Sequence, residues 1–141
     1  MELSERKKKV LRSIVDLYIR TAEPVGSKAI AALPDMKYSD NALALRYSGA
    51  GNYVETAQAA IMEMYRQTGD YVMDDDGLLR NGVVIRHLIL PGHVENSLKV
   101  LDWIGETFAP GQVLVSLMRQ YTPMPGLPAP FDRRITDEEY D

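Results

Sequence analysis

The 141-residue sequence contains no cysteine. Without a thiol, the chain cannot form a disulfide, use a cysteine nucleophile or hold an iron–sulfur cluster or zinc ion through thiolates. Long hydrophobic runs are also missing, since no apolar stretch approaches the roughly 20 residues of a membrane-spanning helix. The amino terminus, MELSERKKKV, is charged where a secretory signal peptide would be apolar. We therefore expect a cytoplasmic protein.

The composition suits one globular domain, because 45% of the residues are hydrophobic and 26% are charged. Charge is unevenly distributed along the chain. Residues 1–33 contain seven cations and four anions, a net charge of +3, so the remainder carries −7 and the total is −4. Such asymmetry can indicate a nucleic-acid-binding arm on an acidic body, and a solvated helical turn explains so few charges equally well.

The amino-terminal residues have the pattern of a helix. Ser4 is a suitable N-cap, and apolar residues recur at helical spacing, which predicts a helix over residues 4–22. Pro24 and Gly26 then break the chain, and a second short helix begins at Ser27. Four cations lie near the amino terminus of this helix: Arg6, Lys7, Lys8 and Lys9. The positive end of the helix dipole disfavours cations there, and contact with phosphate is one explanation for their presence.

These amino-terminal residues resemble a known family. The stretch LSERKKKVLRSIVDLYIRTAEPVGSKAIA, residues 3–31, and above all residues 18–28, resembles the amino-terminal winged helix-turn-helix segment of heat-inducible transcription repressors. The resemblance implies DNA binding through Arg6, Lys7, Lys8, Lys9, Ser27 and Lys28. Where that family carries a Ser-Ala-Thr-Ile-Arg-Asn-like recognition pattern, this sequence has YSDNALALRYSG, which is acidic and has no comparable row of base-reading side chains.

Beyond Leu33 the sequence alternates between short strands and amphipathic helices. Periodicity and breakers predict helices over 41–48, 53–68 and 94–108 and apolar strands over 82–90 and 112–118. A strand, a helix and a further strand in this order indicate a βαβ unit with parallel strands.

Polar side chains cluster after the predicted strands, where parallel sheets place their sites. The clusters are Asp35 with Lys37, Arg86 with His93, and Gln120 with Tyr121. Arg86 lies within an apolar run, so its guanidinium needs an anionic partner. That partner is either a ligand or Asp35, in an ion pair that only supports the fold.

The same residues carry a second resemblance. The stretches LPDMKYSDNALALRYSGAGNYVETAQAAIMEMYRQTG, GVVIRHLILPGHVENSLKVLDWI and VLVSLMRQYTPMPG resemble the carboxyl-terminal part of radical S-adenosylmethionine proteins related to pyruvate formate-lyase activating enzyme. The resemblance covers residues 33–141. It implies a partial parallel (β/α) barrel fragment of about three strands, preceded by the two-helix amino-terminal arm. It also implies S-adenosylmethionine-side roles for Asp35 and Lys37, a ligand-facing Arg86, and a late contact at Gln120 or Tyr121.

That family uses a four-iron, four-sulfur cluster together with S-adenosylmethionine, and three cysteines hold the cluster. This chain has none, so we expect no cofactor, no catalytic residue and no reductive cleavage. A zinc site at His87 and His93 would need further ligands, and the run DDDG at residues 74–77 lacks the spacing of a calcium loop. We therefore predict no metal site.

The two resemblances meet on the sequence LPDMK, residues 33–37, which suits either family. We therefore divide the chain into a truncated helix-turn-helix-like arm, residues 1–32, and a radical S-adenosylmethionine barrel fragment, residues 33–141. The favoured function is an inactive fragment of an activating-enzyme-like protein. The alternatives are a DNA-binding repressor and a chimeric gene product without function. Expected partners are residual S-adenosylmethionine, weakly and non-specifically bound DNA, and further copies of the chain associating through exposed strand edges.

Overall fold

The computed structural model describes residues 30–141, which form a mixed α/β fold. The elements, in chain order, are β1 (Ile30–Ala32), α1 (Asn41–Ser48), α2 (Tyr53–Thr68), β2 (Val72–Met73), β3 (Leu79–Leu88), α3 (Val94–Thr107), β4 (Leu114–Met118) and α4 (Asp137–Tyr140). The first predicted helix, residues 4–22, lies outside these residues. The second, which begins at Ser27, is wrong where it can be compared, because Ile30–Ala32 form strand β1 and pair with β3.

Strand β3 is the centre of a four-stranded mixed sheet. On one side it pairs in parallel with β1, and a bridge between Asp35 and Arg86 continues this pairing beyond the strand. On the other side its first residues pair antiparallel with β2, and residues 84–88 pair in parallel with β4. The run β3–α3–β4 is therefore the βαβ unit that the sequence predicts.

The hydrophobic core lies on one face of this sheet. Side chains alternate between the two faces of a strand, and in β3 the buried set is Val83, Ile85 and His87. The core cluster combines Val83 and Ile85 with residues of α2, α3 and the segments beside them: Ala32, Met36, Ile61, Met64, Val83, Ile85, Val100, Ile104 and Phe108. The opposite face of β3 carries the half-buried Val84, Arg86 and Leu88.

Two helix starts follow from local sequence. The Asp40 carboxylate accepts hydrogen bonds from the backbone N–H groups of Ala42 and Leu43, which caps α1. Thr136 and Glu139 form a reciprocal capping box at the start of α4. The bounds of α1 and α2 are confirmed as the sequence predicts.

The prediction of an α/β fold is confirmed, but a parallel barrel fragment is not. Sequence analysis missed β2, whose antiparallel pairing with β3 makes the sheet mixed. The Asp74 carboxylate accepts hydrogen bonds from the N–H groups of Asp76 and Leu78, which closes the chain between these strands into a tight turn. Strand β3 therefore begins at Leu79, three residues earlier than predicted. None of the helices in the described part of the chain is long and apolar enough to span a membrane.

Gly82 generates a prediction about stability. Its φ is +134°, and a Cβ built there would lie 2.6 Å from the Cα of Tyr71. We expect Gly82→Ala to lower the free energy of unfolding by about 2–5 kcal/mol, from backbone strain plus overlap. The measurement is urea denaturation.

Gly111→Ala is the matched control, because Gly111 also has a positive φ, +92°, but nothing within 4 Å of its added Cβ. It should cost only the backbone strain, about 1–2 kcal/mol. Equal losses in the two variants would contradict the close approach of Tyr71.

Candidate functional site

The site is built on the extended segment that follows β1. The Arg86 N–H donates to the Pro34 carbonyl at 2.8 Å, and the Met36 N–H donates to the Arg86 carbonyl at 2.9 Å. These bonds continue the parallel pairing past the end of β1. Alternate residues of the segment consequently face opposite sides: Met36 is buried in the core, whereas Asp35 is exposed on the other side.

A buried histidine holds this segment against the rest of the fold. His87 is 0% exposed, with Nδ1 2.6 Å from the Met36 carbonyl oxygen and Nε2 2.8 Å from the Ser97 hydroxyl. A carbonyl oxygen only accepts, so Nδ1 carries the proton and Nε2 accepts from Ser97. Burial lowers the pKa of His87, and the ring is neutral.

Two further side chains fix the main chain of Lys37. The Lys37 N–H donates to the Tyr53 hydroxyl at 2.7 Å, and the Lys37 carbonyl accepts from Asn96 Nδ2 at 2.8 Å. The Asn96 carbonyl oxygen accepts from the Ser39 N–H at 2.7 Å. Burial raises the pKa of Tyr53. The backbone that carries Lys37 is therefore clamped between α2 and α3.

The structure brings together three of the predicted site residues. Asp35, Lys37 and Arg86 line a cavity of about 170 Å³, which Leu88 and Met118 complete. Arg86 Nη2 donates to Asp35 Oδ2 at 3.2 Å, and Arg86 Nε lies 2.9 Å from Asp35 Oδ1 without the alignment of a hydrogen bond. The Asp35 ion pair left open by the sequence is thus present.

The electrostatic balance of this cavity is positive. One carboxylate faces two cations, and Lys37 forms no ion pair with any other described residue, its Nζ lying 6.0 Å from the centre of the Tyr38 ring. The Arg86–Asp35 pair is partly exposed, which limits its contribution to stability to about 0–1 kcal/mol. The cavity can therefore attract an anion, and loss of the Arg86–Asp35 ion pair on binding would cost little stability.

A second, larger cleft of about 480 Å³ borders the same segment and shares Asp35 and Lys37 with the small cavity. Its polar groups are the Tyr53 hydroxyl and the residues at the start of α2, and its apolar wall is formed by small side chains and a methionine. The lining residues are Pro34, Asp35, Lys37, Tyr38, Ser48, Ala50, Asn52, Tyr53, Thr56, Ala57, Ala60 and Met64.

The remaining predicted residues lie elsewhere. The Tyr121 hydroxyl donates to the Phe131 carbonyl at 2.9 Å, and Gln120 is exposed, so neither lines the cavity. His93 stacks on Phe131 with 5.6 Å between ring centres. The ends of β3 and β4 are thus occupied by the carboxyl-terminal loop. The DNA-binding candidates Arg6, Lys7, Lys8, Lys9, Ser27 and Lys28 lie outside the described residues.

Sequence reasoning missed Tyr53 and Asn96 as residues that position the site. Both lie in correctly predicted helices, but their contacts with Lys37 span 16 and 59 residues of chain. Residues 30–141 contain no group of three or more His, Asp or Glu side chains able to hold a metal. An iron–sulfur cluster does not fit, because the sequence has no cysteine.

Comparison with curated proteins matches the chain to heat-inducible transcription repressors named HrcA. The repressor of Desulfitobacterium hafniense is 59% identical over 39 residues, which cover 28% of this chain and 11% of the repressor. That of Acetivibrio thermocellus is 64% identical over 31 residues, covering 22% and 9%. That of Carboxydothermus hydrogenoformans is 39% identical over 85 residues, covering 55% and 25%. The chain therefore spans a quarter or less of the length of these relatives.

No protein-family profile and no solved structure matches the chain. The predicted resemblance to the repressor family is supported over partial stretches. An alignment of 85 residues is longer than residues 3–32, so similarity to the Carboxydothermus repressor extends beyond the segment that carries the resemblance. The resemblance to radical S-adenosylmethionine proteins finds no support in these comparisons and stays a prediction.

His87 generates a prediction about pH. Its folded-state pKa is lowered below the ordinary value, so the unfolded chain binds a proton more readily than the folded one. The stability that the neutral ring contributes is present above about pH 6.5 and is lost as the pH falls, with a slope of at most about 1.4 kcal/mol per pH unit. Urea denaturation between about pH 7 and pH 5 measures it.

His87→Gln should flatten this dependence even if it lowers stability at every pH. His93→Gln, which removes the other histidine, is the matched control and should keep the wild-type slope. A wild-type slope in His87→Gln would contradict the assignment.

Proposed function

We propose that the chain binds DNA in the manner of a transcription repressor fragment, through its amino-terminal cations. The observation that carries this proposal is the repeated match to heat-inducible transcription repressors at 59% and 64% identity over short stretches. Four consecutive cations, Arg6 to Lys9, and the pair Ser27 and Lys28 are the residues that could reach phosphates.

The negative charge of residues 34–141 supports contact between DNA and the amino-terminal residues. Residues beyond 33 carry a net charge of −7, so that part of the chain repels a phosphate backbone. Attraction must then come from the +3 of residues 1–33. Since the segment that follows, YSDNALALRYSG, contains few base-reading side chains, the binding is mainly to phosphates and carries little sequence information.

The test is fluorescence anisotropy with a labelled DNA duplex over a range of salt concentrations. Replacing Arg6, Lys7, Lys8 and Lys9 by Gln should reduce the slope of log K against log salt by about four, one for each lost phosphate contact. A control with the same change in charge replaces four exposed cations of the body: Arg46, Arg66, Lys99 and Arg134.

The control variant should keep the wild-type slope. No binding by the wild type at low salt would overturn the proposal, and so would equal losses in the two quadruple variants. A sequence-specific footprint on an inverted repeat would show that the binding reads bases and is not limited to phosphates.

A second candidate function is binding of S-adenosylmethionine, as the resemblance of residues 33–141 implies. The observation that favours it is the convergence of Asp35, Lys37 and Arg86 on one cavity beyond the carboxyl end of β1. The methionine end of that ligand carries a carboxylate, which suits Lys37 and Arg86, and an ammonium group, which suits Asp35. Without cysteine the chain would bind the ligand and not cleave it.

Isothermal titration with S-adenosylmethionine tests this candidate. Lys37→Ala should weaken binding about tenfold, the effect of losing one charge-assisted contact worth about 1.4 kcal/mol. Lys99→Ala, which removes an exposed lysine of α3, should leave the affinity unchanged. Absence of heat at millimolar ligand would eliminate the candidate, and anaerobic reconstitution with iron and sulfide should give no cluster absorbance.

A further inference from the structure

The outer edge of β4 is free of any strand partner among the described residues. The Ile89 N–H donates to the Met118 carbonyl at 3.0 Å, which directs the backbone groups of Met118 toward β3. Backbone groups alternate along a strand, so Leu114 and Ser116 also face β3. Val115 and Leu117 therefore direct their N–H and C=O groups to the free edge.

The side chains at this edge are apolar and exposed. Val115 is 41% exposed and Leu117 is 36% exposed, although their partners across the ladder, Ile85 and His87, are fully buried. Strand β4 has the sequence LVSLM and contains no charge and no proline. Natural edge strands usually carry charged residues or proline, which prevent pairing with another chain.

We propose that this edge pairs with a second copy of the chain, antiparallel and centred on Ser116. In that register Val115 of one copy lies opposite Leu117 of the other. The two-fold axis generates an identical second pair, Leu117 of the first copy opposite Val115 of the second. Both residues point their backbone groups outward, so each pair exchanges two hydrogen bonds and the interface gains four. The exposed Val115 and Leu117 side chains of the two copies then share one face and cover each other.

Charge disfavours one neighbouring register. Arg119 follows β4 directly and forms an ion pair with Asp137. Centring on Leu117 instead would bring Arg119 into the paired segment, opposite Val115 of the other copy. Centring on Ser116 sets Arg119 opposite Val113, beyond the paired strand, and brings no like charges together.

Crosslinking through a single cysteine tests the register. At the two-fold axis the two Ser116 residues form a non-hydrogen-bonded pair with Cα atoms about 4.5 Å apart, within the range for a disulfide. Because the chain has no cysteine, Ser116→Cys introduces one thiol. Oxidation should convert most of this variant to a covalent dimer, whereas the control Leu98→Cys, at a 55% exposed position of α3, should stay monomeric.

Sedimentation equilibrium across the micromolar range tests the surface. The wild type should move from 15.8 kDa toward twice that mass as concentration rises. Leu117→Lys should hold the monomer mass, and Leu98→Lys, an equally drastic change at an exposed leucine away from the edge, should associate as the wild type does. Circular dichroism confirms that each variant is folded.

Three results would overturn the proposal: a wild type that stays at 15.8 kDa at every concentration, equal loss of association in the two lysine variants, or equal crosslinking in the two cysteine variants. The first would leave the edge solvated. The second and third would show association through some other surface.

Discussion

The structure depends on one buried imidazole. His87 joins three parts of the chain, because its ring lies on β3, donates to the Met36 carbonyl in the segment after β1 and accepts from Ser97 at the start of α3. A neutral imidazole has one donor and one acceptor, and both are used. Removing the ring would leave a carbonyl and a hydroxyl unpaired in the core, at about 1–3 kcal/mol for each group.

The rigidity of the candidate site follows from that contact. His87 holds Met36 on the core side of the segment. Residues 35 and 37, its neighbours along the chain, therefore face the opposite side, where Arg86 lies across the bridge from Asp35. Tyr53 and Asn96 then hold the Lys37 backbone from two helices. The backbone that carries the charged groups at the cavity is therefore held by hydrogen bonds, although their side chains are partly exposed to solvent. Preorganised charges bind an anion at a smaller entropic cost than free ones.

Much of this fold could be predicted from the sequence, and the failures have physical causes. Helical periodicity and the Asp40 cap determine α1 and α2 locally, and the apolar runs locate β3 and β4. Strand β2 has only two residues, too few to show a periodic pattern. Its position depends on the turn that the Asp74 side chain closes. The contacts of Asn96 with the site likewise depend on tertiary packing. Asp35, Lys37 and Arg86 could be grouped in advance because parallel strands place their ends together.

Charge separation along the chain constrains how the proposed activities coexist. The −7 of the body repels the DNA that the amino-terminal cations attract, and both effects weaken with salt. Salt therefore weakens attraction and repulsion together. Pairing at β4 escapes this constraint, because the strand carries no charge. Association between copies should persist at ionic strengths that abolish binding to DNA, since screening acts only on charged groups and apolar burial does not depend on them.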